Sequence, residues 1–483
     1  MAPSWLRSRA ILGGLATAKA HDKLVSAKNL LTPFSVSMSP AQYDMLKSEA
    51  ELPCITAQFA KILVEALLRK RPTLNVKGHE ALNTWLLDEF GQDGLPIEAS
   101  LSMAAQEELA SGRCWVFVDH PTFNEEGMSA LSAEERKLVR PYPIIRRAEE
   151  VINWHYSTDQ LGRRQLLFVL TRAYESTYAP DAVHPVVREV VWRHYLNEQG
   201  NYAVDKYLGP TQNETPAENG QAVSPATEGA GGGFEKGATI EVLAHGLPLA
   251  YIPAWPISGK VELQQPPLMP LIEKEVSLYN KMTRRNHLLY NASTFTPVIM
   301  TSMIDSEFDK IAAAGLGSWI KLDIDSKVDA LKTPTDALKD YETAILNGIT
   351  EMAKLGVRML AAESNQSGIA LEIRNAAQTA QLGTLNTQIS TTWRQVIRCM
   401  IQWQTGVEVP LEAVEFALSS DFLASNRDVN SLRLITEWYE NGHIPRSVFT
   451  HVLRENDYLP DGYDDQEGLT EIGKTNILPP LEE

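Results

Sequence analysis

Cysteine is nearly absent from this sequence: Cys54, Cys114 and Cys399 are the only three among 483 residues. Three thiols far apart cannot all pair, so neither a disulfide scaffold nor a cysteine-rich metal site is expected, and a reducing compartment fits. Long hydrophobic runs are missing too. No stretch of ~18 apolar residues occurs, so no transmembrane helix and no membrane partner are expected. Positive charge is in deficit, with 44 Lys+Arg against 61 Asp+Glu and a net charge of −17. Such a surface repels phosphate and excludes a generic basic nucleic-acid binder. His155, His184, His194, His245, His287, His443 and His451 show no metal-ligand spacing, and no Gly-x-Ser-x-Gly elbow occurs. Neither a metal, a cofactor nor an enzymatic activity is expected.

What is present suffices for globular folding. Hydrophobic residues make up 44% and charged residues 22%, and 10 Trp, 15 Tyr and 12 Phe offer large apolar area. At about 100–200 residues per domain the length allows two to four domains or one elongated subunit. Arg7 and Arg9 before the run Ala10–Ala16, with Ala18-Lys19-Ala20 after it, imitate a secretory leader. The run is short and broken by Gly13-Gly14, so no leader is expected.

Residues 40–70 read as helical, with Phe59, Ile62, Leu63, Ala66 and Leu67 on one face and Arg69-Lys70-Arg71-Pro72 as the stop. Two more helices are expected over 78–92 and 98–111, ended by Gly112, and then a buried strand at 114–118. Residues 140–208 are rich in β-branched and aromatic residues and read as an antiparallel sheet. Residues 210–233 read as a long Pro- and Gly-rich loop. A helix is expected over 264–290, with Leu268, Ile272, Tyr279, Met282 and Leu289 on one stripe and Lys274, Ser277, Lys281 and Arg284 on another. Three short strands and a small helix (Asp305–Ala314) fill 295–332. A helix over 335–355 and a thirteen-residue loop from Gly356 to Gly368 lead into a long helix, 369–404. No charged residue occurs from Asn375 to Trp393, a stretch of Gln, Thr, Asn and Ala that reads as packed on several sides by protein. Two or three short helices and an acidic tail close the chain.

Gly468-Leu469-Thr470-Glu471-Ile472-Gly473-Lys474-Thr475 spells a phosphate-binding loop. Its flanks supply neither the strand before nor the helix after, so a nucleotide-hydrolase reading ranks low. Asp119-His120 pairs a carboxylate with an imidazole but precedes Pro121 and reads as a capped turn.

Several stretches resemble one family when taken in order. They are Arg69-Lys70-Arg71-Pro72, the run Gly112-Arg113-Cys114-Trp115-Val116-Phe117-Val118-Asp119-His120-Pro121, Arg140-Pro141-Tyr142-Pro143, Ile152-Asn153-Trp154, Ile252-Pro253, and Glu363-Ser364-Asn365-Gln366-Ser367-Gly368-Ile369-Ala370. Their combination is similar to the portal (head-tail connector) proteins of tailed bacteriophages, in a subgroup common among short-tailed phages. The resemblance implies an α+β, elongated subunit. Residues 1–262 would form the wing, 263–290 and 335–355 the stem, 291–334 the clip and 356–368 the tunnel loop. A wing helix would follow over 369–409, and 410–483 would form the crown and acidic tail. It implies a ring, typically dodecameric, at one capsid vertex of the virion, assembled in the host cytoplasm. Double-stranded DNA would pass through it. Terminase large subunit, tail adaptor or head-completion proteins, and major capsid and scaffolding proteins would be partners. Arg358, Met359, Glu363, Asn365 and Gln366 would belong to the tunnel loop. Lys274, Lys281 and Arg284 would face the channel, and Asp305, Glu307, Lys310 and Trp319 would meet partners at the clip. A different multimeric head-completion or tail-adaptor protein is the alternative.

Overall fold

In the computed structural model the described residues are 2–22, 29–35, 38–121, 132, 139–158, 160–177, 186–212, 234–293, 296–300, 327–331, 336–360, 368–420 and 429–455. They form an α+β chain that divides into two compact units, Met1–Ser420 and Asp421–Glu483.

The leader-like stretch is part of the core. It forms α1 (Ala2–Leu12) and α2 (Leu15–His21), which bury Trp5, Ile11 and Ala18. Ser8 Oγ donates to Ala110 O at 2.6 Å. Arg9 forks onto two carboxylates, at 2.6 Å to Glu149 Oε1 and 2.6 Å to Glu107 Oε1, and so ties α1 to segments about a hundred residues away.

The helix expected over 40–70 is two helices, α3 (Pro40–Ser48) and α4 (Ile55–Leu67). Pro53 has no N–H and steers Leu52 away from helical backbone, and Cys54 stands in the left-handed region at φ 55. Phe59, Leu63 and Leu67 are buried as the spacing requires, whereas Ile62 is 47% exposed. The strand β1 (Thr73–Val76) follows. The helix expected over 78–92 contracts to a 3-10 turn (Glu80–Leu82) and α5 (Asn83–Asp88). α6 (Ile97–Ser111) ends at Gly112, whose φ of 66 lets its N–H reach Glu108 O at 2.7 Å.

The sheet region forms two antiparallel layers. β2 (Trp115–Asp119) pairs with β3 (Tyr142–Arg146). The strands β4 (Val151–Thr158), β5 (Arg164–Thr177), β6 (Val186–Leu196), β7 (Tyr202–Gln212) and β8 (Glu235–Glu241) form a meander in that order. Val169, Val190 and Val204 are buried, while Ile152, Tyr174 and Ile240 stay exposed. Two short strands, β9 (Leu243–Ala244) and β10 (Leu247–Pro248), form a hairpin, and β11 (Ala254–Pro256) returns to the other edge of β2.

The helical half begins at α7 (Met269–Ser293). One face of α7 is tied to the N-terminal segments. Glu275, fully buried, accepts the N–H of Ile55 and of Thr56, both at 2.8 Å. A carboxylate 220 residues away thus caps α4, whose own N-cap residue, Cys54, makes no side-chain cap bond. Asn280 donates to Leu30 O at 2.7 Å and accepts the Thr32 N–H at 2.8 Å. On the expected stripe, Leu268, Ile272 and Tyr279 are buried, but Leu289 is 39% exposed. β12 (Thr296–Met300) and β13 (Lys327–Leu331) pair antiparallel before α8 (Asp336–Leu360) and the 38-residue α9 (Gly368–Thr405). The strand expected at 319–322, the helix at 305–314 and most of the loop at 210–233 lie outside the described residues.

On α9, Leu382, Leu385, Ile389, Trp393, Val396, Ile397 and Met400 are buried. Its polar residues are occupied by the backbone that follows. Asn386 Nδ2 donates to Ser419 O at 2.8 Å, Ser390 Oγ accepts the Leu418 N–H at 3.2 Å, and Arg394 donates to Val414 O and Leu411 O at 3.0 Å. That backbone includes β14 (Val414–Ala417), which pairs with β1 in the register Val76↔Val414. Neither strand is expected from the sequence, and β14 falls within the residues 410–483 that the resemblance assigns to the crown. The unit boundary instead follows Ser420. The second unit contains α10 (Val429–Glu440) and α11 (Arg446–Glu455), joined by stacked rings of Tyr439 and Phe449 at 4.4 Å.

Glu275→Ala is expected to lower stability by about 2–4 kcal/mol, because two charge-assisted bonds are lost and two buried N–H groups are stranded. Glu275→Gln, which keeps one acceptor, should recover roughly half of that. Urea unfolding midpoints check both.

Candidate functional site

All the site residues expected from sequence fall in the stretch from α7 to α9. Its local order has simple causes. Pro266, Pro267 and Pro270 crowd the start of α7, where a missing N–H costs nothing. α7 and α8 lie antiparallel, since residue 274 meets 351, 278 meets 348 and 285 meets 342. Gly348 allows the close approach: a Cβ there would stand 2.5 Å from Leu278 Cδ2.

The bases of α7 are largely turned to partners within the chain. Lys274 Nζ lies 2.7 Å from Glu351 Oε2, and Arg285 Nε lies 3.8 Å from Glu342 Oε1. The hydrogen bond and charge of Lys274 hold the Glu351 carboxyl below its ordinary value, with Lys281 adding to the pull. Arg284 turns elsewhere, its guanidinium 5.8 Å from the ring of Phe34. So Lys274 and Lys281 share the field of α8, and Arg284 packs on the N-terminal segment. Sequence spacing alone had grouped all three.

The loop expected from Gly356 to Gly368 is shorter. α8 continues through Leu360, so Arg358 and Met359 lie in its last turn. A single Gly in a helix costs only about 1 kcal/mol and does not end it when apolar spacing continues beyond it. Glu363, Asn365 and Gln366 lie outside the described residues, as do Asp305, Glu307, Lys310 and Trp319 and the phosphate-loop look-alike at 468–475.

Elsewhere, the turn expected at Asp119-His120 is not formed: Asp119 is the last residue of β2, and the His120 N–H donates to Asp119 Oδ1 at 2.8 Å. Burial pushes the Asp119 carboxyl up and the His120 imidazole down, which favours the neutral form of each. Among the described residues no group of three His, Cys, Asp or Glu is placed to hold a metal ion. None of their helices is long and apolar enough to cross a membrane.

One buried charged cluster escaped the sequence reading. Arg113 is 1% exposed, with its guanidinium 4.9 Å from the Trp115 ring and 4.5 Å from the Trp154 ring, and it donates to Lys260 O. Glu108, 4% exposed, accepts the Cys114 N–H at 2.8 Å. Burial pushes Glu108 up to about 7, against the opposing pull of that bond and of Arg113. The signal in the sequence is an arginine between the end of α6 and the apolar run of β2.

A family model described as a domain of unknown function (DUF4055) matches residues 267–404, less than half of the chain. The match runs from the residue before Leu268 to the end of α9. No curated protein matches the chain. Among solved structures, the chain is similar to one in the virion of a native gene transfer agent (GTA) particle, at a TM-score of 0.36 and 11% identity, covering 80% of this chain and 84% of that one. It is also similar to one in the neck of an empty GTA particle computed with C6 symmetry, at a TM-score of 0.36 and 12% identity, covering 88% and 89%. A TM-score of 0.36 is too low to decide a shared fold.

Glu108 gives a pH test. Its folded-state value of about 7 stands above the ordinary 4.5, so its contribution to stability is full below 4.5 and is lost as pH rises through 7. Glu108→Gln should remove this component, flattening the Tm profile between about pH 5 and 8 relative to wild type. Thermal melts across that range measure it.

Proposed function

We propose that this chain is a portal protein of a tailed bacteriophage. Many copies, a dodecamer by the family pattern, would form a ring at one capsid vertex through which double-stranded DNA is packaged and ejected. Terminase large subunit, tail adaptor, capsid and scaffolding proteins would dock on it. The observation that carries the reading is the ordered unit of α7, the β12–β13 pair, α8 and the 38-residue α9, joined to the motifs that resemble this family.

In this reading α7 and α8 are the stem, the segment between them the clip, 361–367 the tunnel loop and α9 the wing helix. The second unit is the crown. The chain's net charge of −17 suits a channel that DNA must cross without sticking. The pairing of Lys274 with Glu351 suits it as well, since a neutralised base grips phosphate weakly. Of the three α7 candidates, Lys281 remains channel-facing, with Lys274 engaged by Glu351 and Arg284 against Phe34, and Arg358 and Met359 remain the candidates at the mouth of the tunnel loop. Asp305, Glu307, Lys310 and Trp319 remain the clip candidates.

Negative-stain imaging of the purified full chain is expected to show wide rings with a narrow stem. A monomer under every assembly condition, absent from particles, would refute the reading. Deletion of 361–367 is expected to leave rings intact and to impair DNA retention at least about tenfold, as loss of a functional loop should. Failure of that variant to form rings would count against the division of labour.

A further inference from the structure

The outer face of the five-stranded sheet carries an apolar groove of about 460 Å³. It runs across the strands, from Ile152 on β4 through Leu170 on β5, Val191 and Arg193 on β6 and Tyr207 on β7 to Phe234 at the lead into β8. The pairings Leu170↔Arg193 and Val191↔Tyr207 put these side chains on one face. Phe234 reaches the groove over Gly209, where a Cβ would stand 3.0 Å from its ring. The rim is basic. Arg193 and Lys236, both about half exposed, share one buried carboxylate, Asp205, at 3.9 and 3.1 Å. Arg172 is matched by Glu189 at 3.0 Å. Two cations on one carboxylate leave a positive charge beside the groove, on a chain whose net charge is −17.

The same unit holds a surface of the opposite charge. β9 and β10 are joined by His245 and Gly246, whose φ values of 51 and 80 make a two-residue hairpin turn. Leu243, Leu247 and, beside the turn, Val407 are all more than half exposed. Exposed Glu241 and Glu408 flank them. The tip is held on α9. Trp403 Nε1–H donates to Leu243 O at 3.3 Å, and Gly406 passes so close to His245 that a Cβ there would stand 2.9 Å from its ring. The length of β8, about 20 Å, separates the tip from Phe234. A chain therefore cannot fill its own groove with its own tip. Groove against groove would oppose like charges, and so would tip against tip. Groove against tip matches both in apolar character and in charge.

We propose that this groove receives the β9–β10 tip of a second copy of the chain, in a head-to-tail contact repeated from copy to copy. Such a contact joins two different surfaces, so it closes into a ring where its rotation closes and otherwise runs on as a filament. It is the lateral contact of the ring proposed above and rests on that reading for its closure.

Full-length variants test it. With Ile152→Cys and Leu247→Cys in one chain, a short bis-maleimide should link assembled copies into a ladder of covalent multimers, while either single variant stays at the wild-type background. Ile152→Asp and Leu247→Asp should each cut assembly at least about tenfold in sedimentation velocity. The melting temperature should not change, because both side chains are exposed. Glu408→Lys, which turns the tip's charge against the basic rim, should weaken assembly as well. The cysteine pair serves if an aspartate variant does not fold. Wild-type rings with no ladder, and with aspartate variants that assemble normally, would overturn the contact and leave the ring reading standing. A ladder of open chains without rings would keep the contact and remove the ring reading. A wild type that stays monomeric under every condition would overturn both.

Discussion

A single buried carboxylate organises the first unit. Helix α4 begins after a proline and a left-handed cysteine, and the cysteine side chain caps none of the free N–H groups of its first turn. Glu275 on α7 fills that role with both oxygens. The bond satisfies donors that have no other partner and places a negative charge at the positive end of a helix. It also fixes the rotation of α7, because only one face can present Glu275. Asn280, one turn further on, then falls against Leu30 and Thr32. The opposite side of α7 is left for α8, with Leu278 against Gly348 and Lys274 against Glu351.

The same economy of polar groups explains α9. A helix without charge over nineteen residues would be unusual on a solvated surface. Here Asn386 and Ser390 bond the backbone of 418–419, and Arg394 bonds that of 411–414. These contacts hold β14 where β1 can pair with it. The polar stretch thus works in part as a template that holds β14 in place.

Electrostatics divide the molecule into charge paired with a carboxylate and charge packed without one. Arg9 with Glu107 and Glu149, and Lys274 with Glu351, are paired locally. Arg113 has no carboxylate partner of this kind; it is buried between two indoles and donates to Lys260 O. A ring-shaped conduit for DNA would gain from the first kind, because paired bases do not hold phosphate. The second kind marks a junction where the sheet layers, α6 and the lead-in to α7 meet.

The sequence by itself determined the order of elements: a helical start, an antiparallel sheet, a helix, a short β insert, a helix and a very long helix. Periodicity and turn residues are local signals, so they survive without coordinates. It also determined Gly112 as the end of α6 and the burial of Leu268, Ile272 and Tyr279. What only the tertiary structure decided was anything that joins distant residues. Glu275 reads as one more charge on an amphipathic helix until α4 is laid against it. Thr73–Val76 and Val414–Ala417 are too short to announce a strand and become one only by pairing across 338 positions. The extension of α8 past Gly356 went unread because one glycine weighs heavily in a local rule and lightly in a helix already twenty residues long. Lys274, Lys281 and Arg284 share a sequence spacing but not a neighbour, since a helix's partners, not its period, settle what each side chain meets.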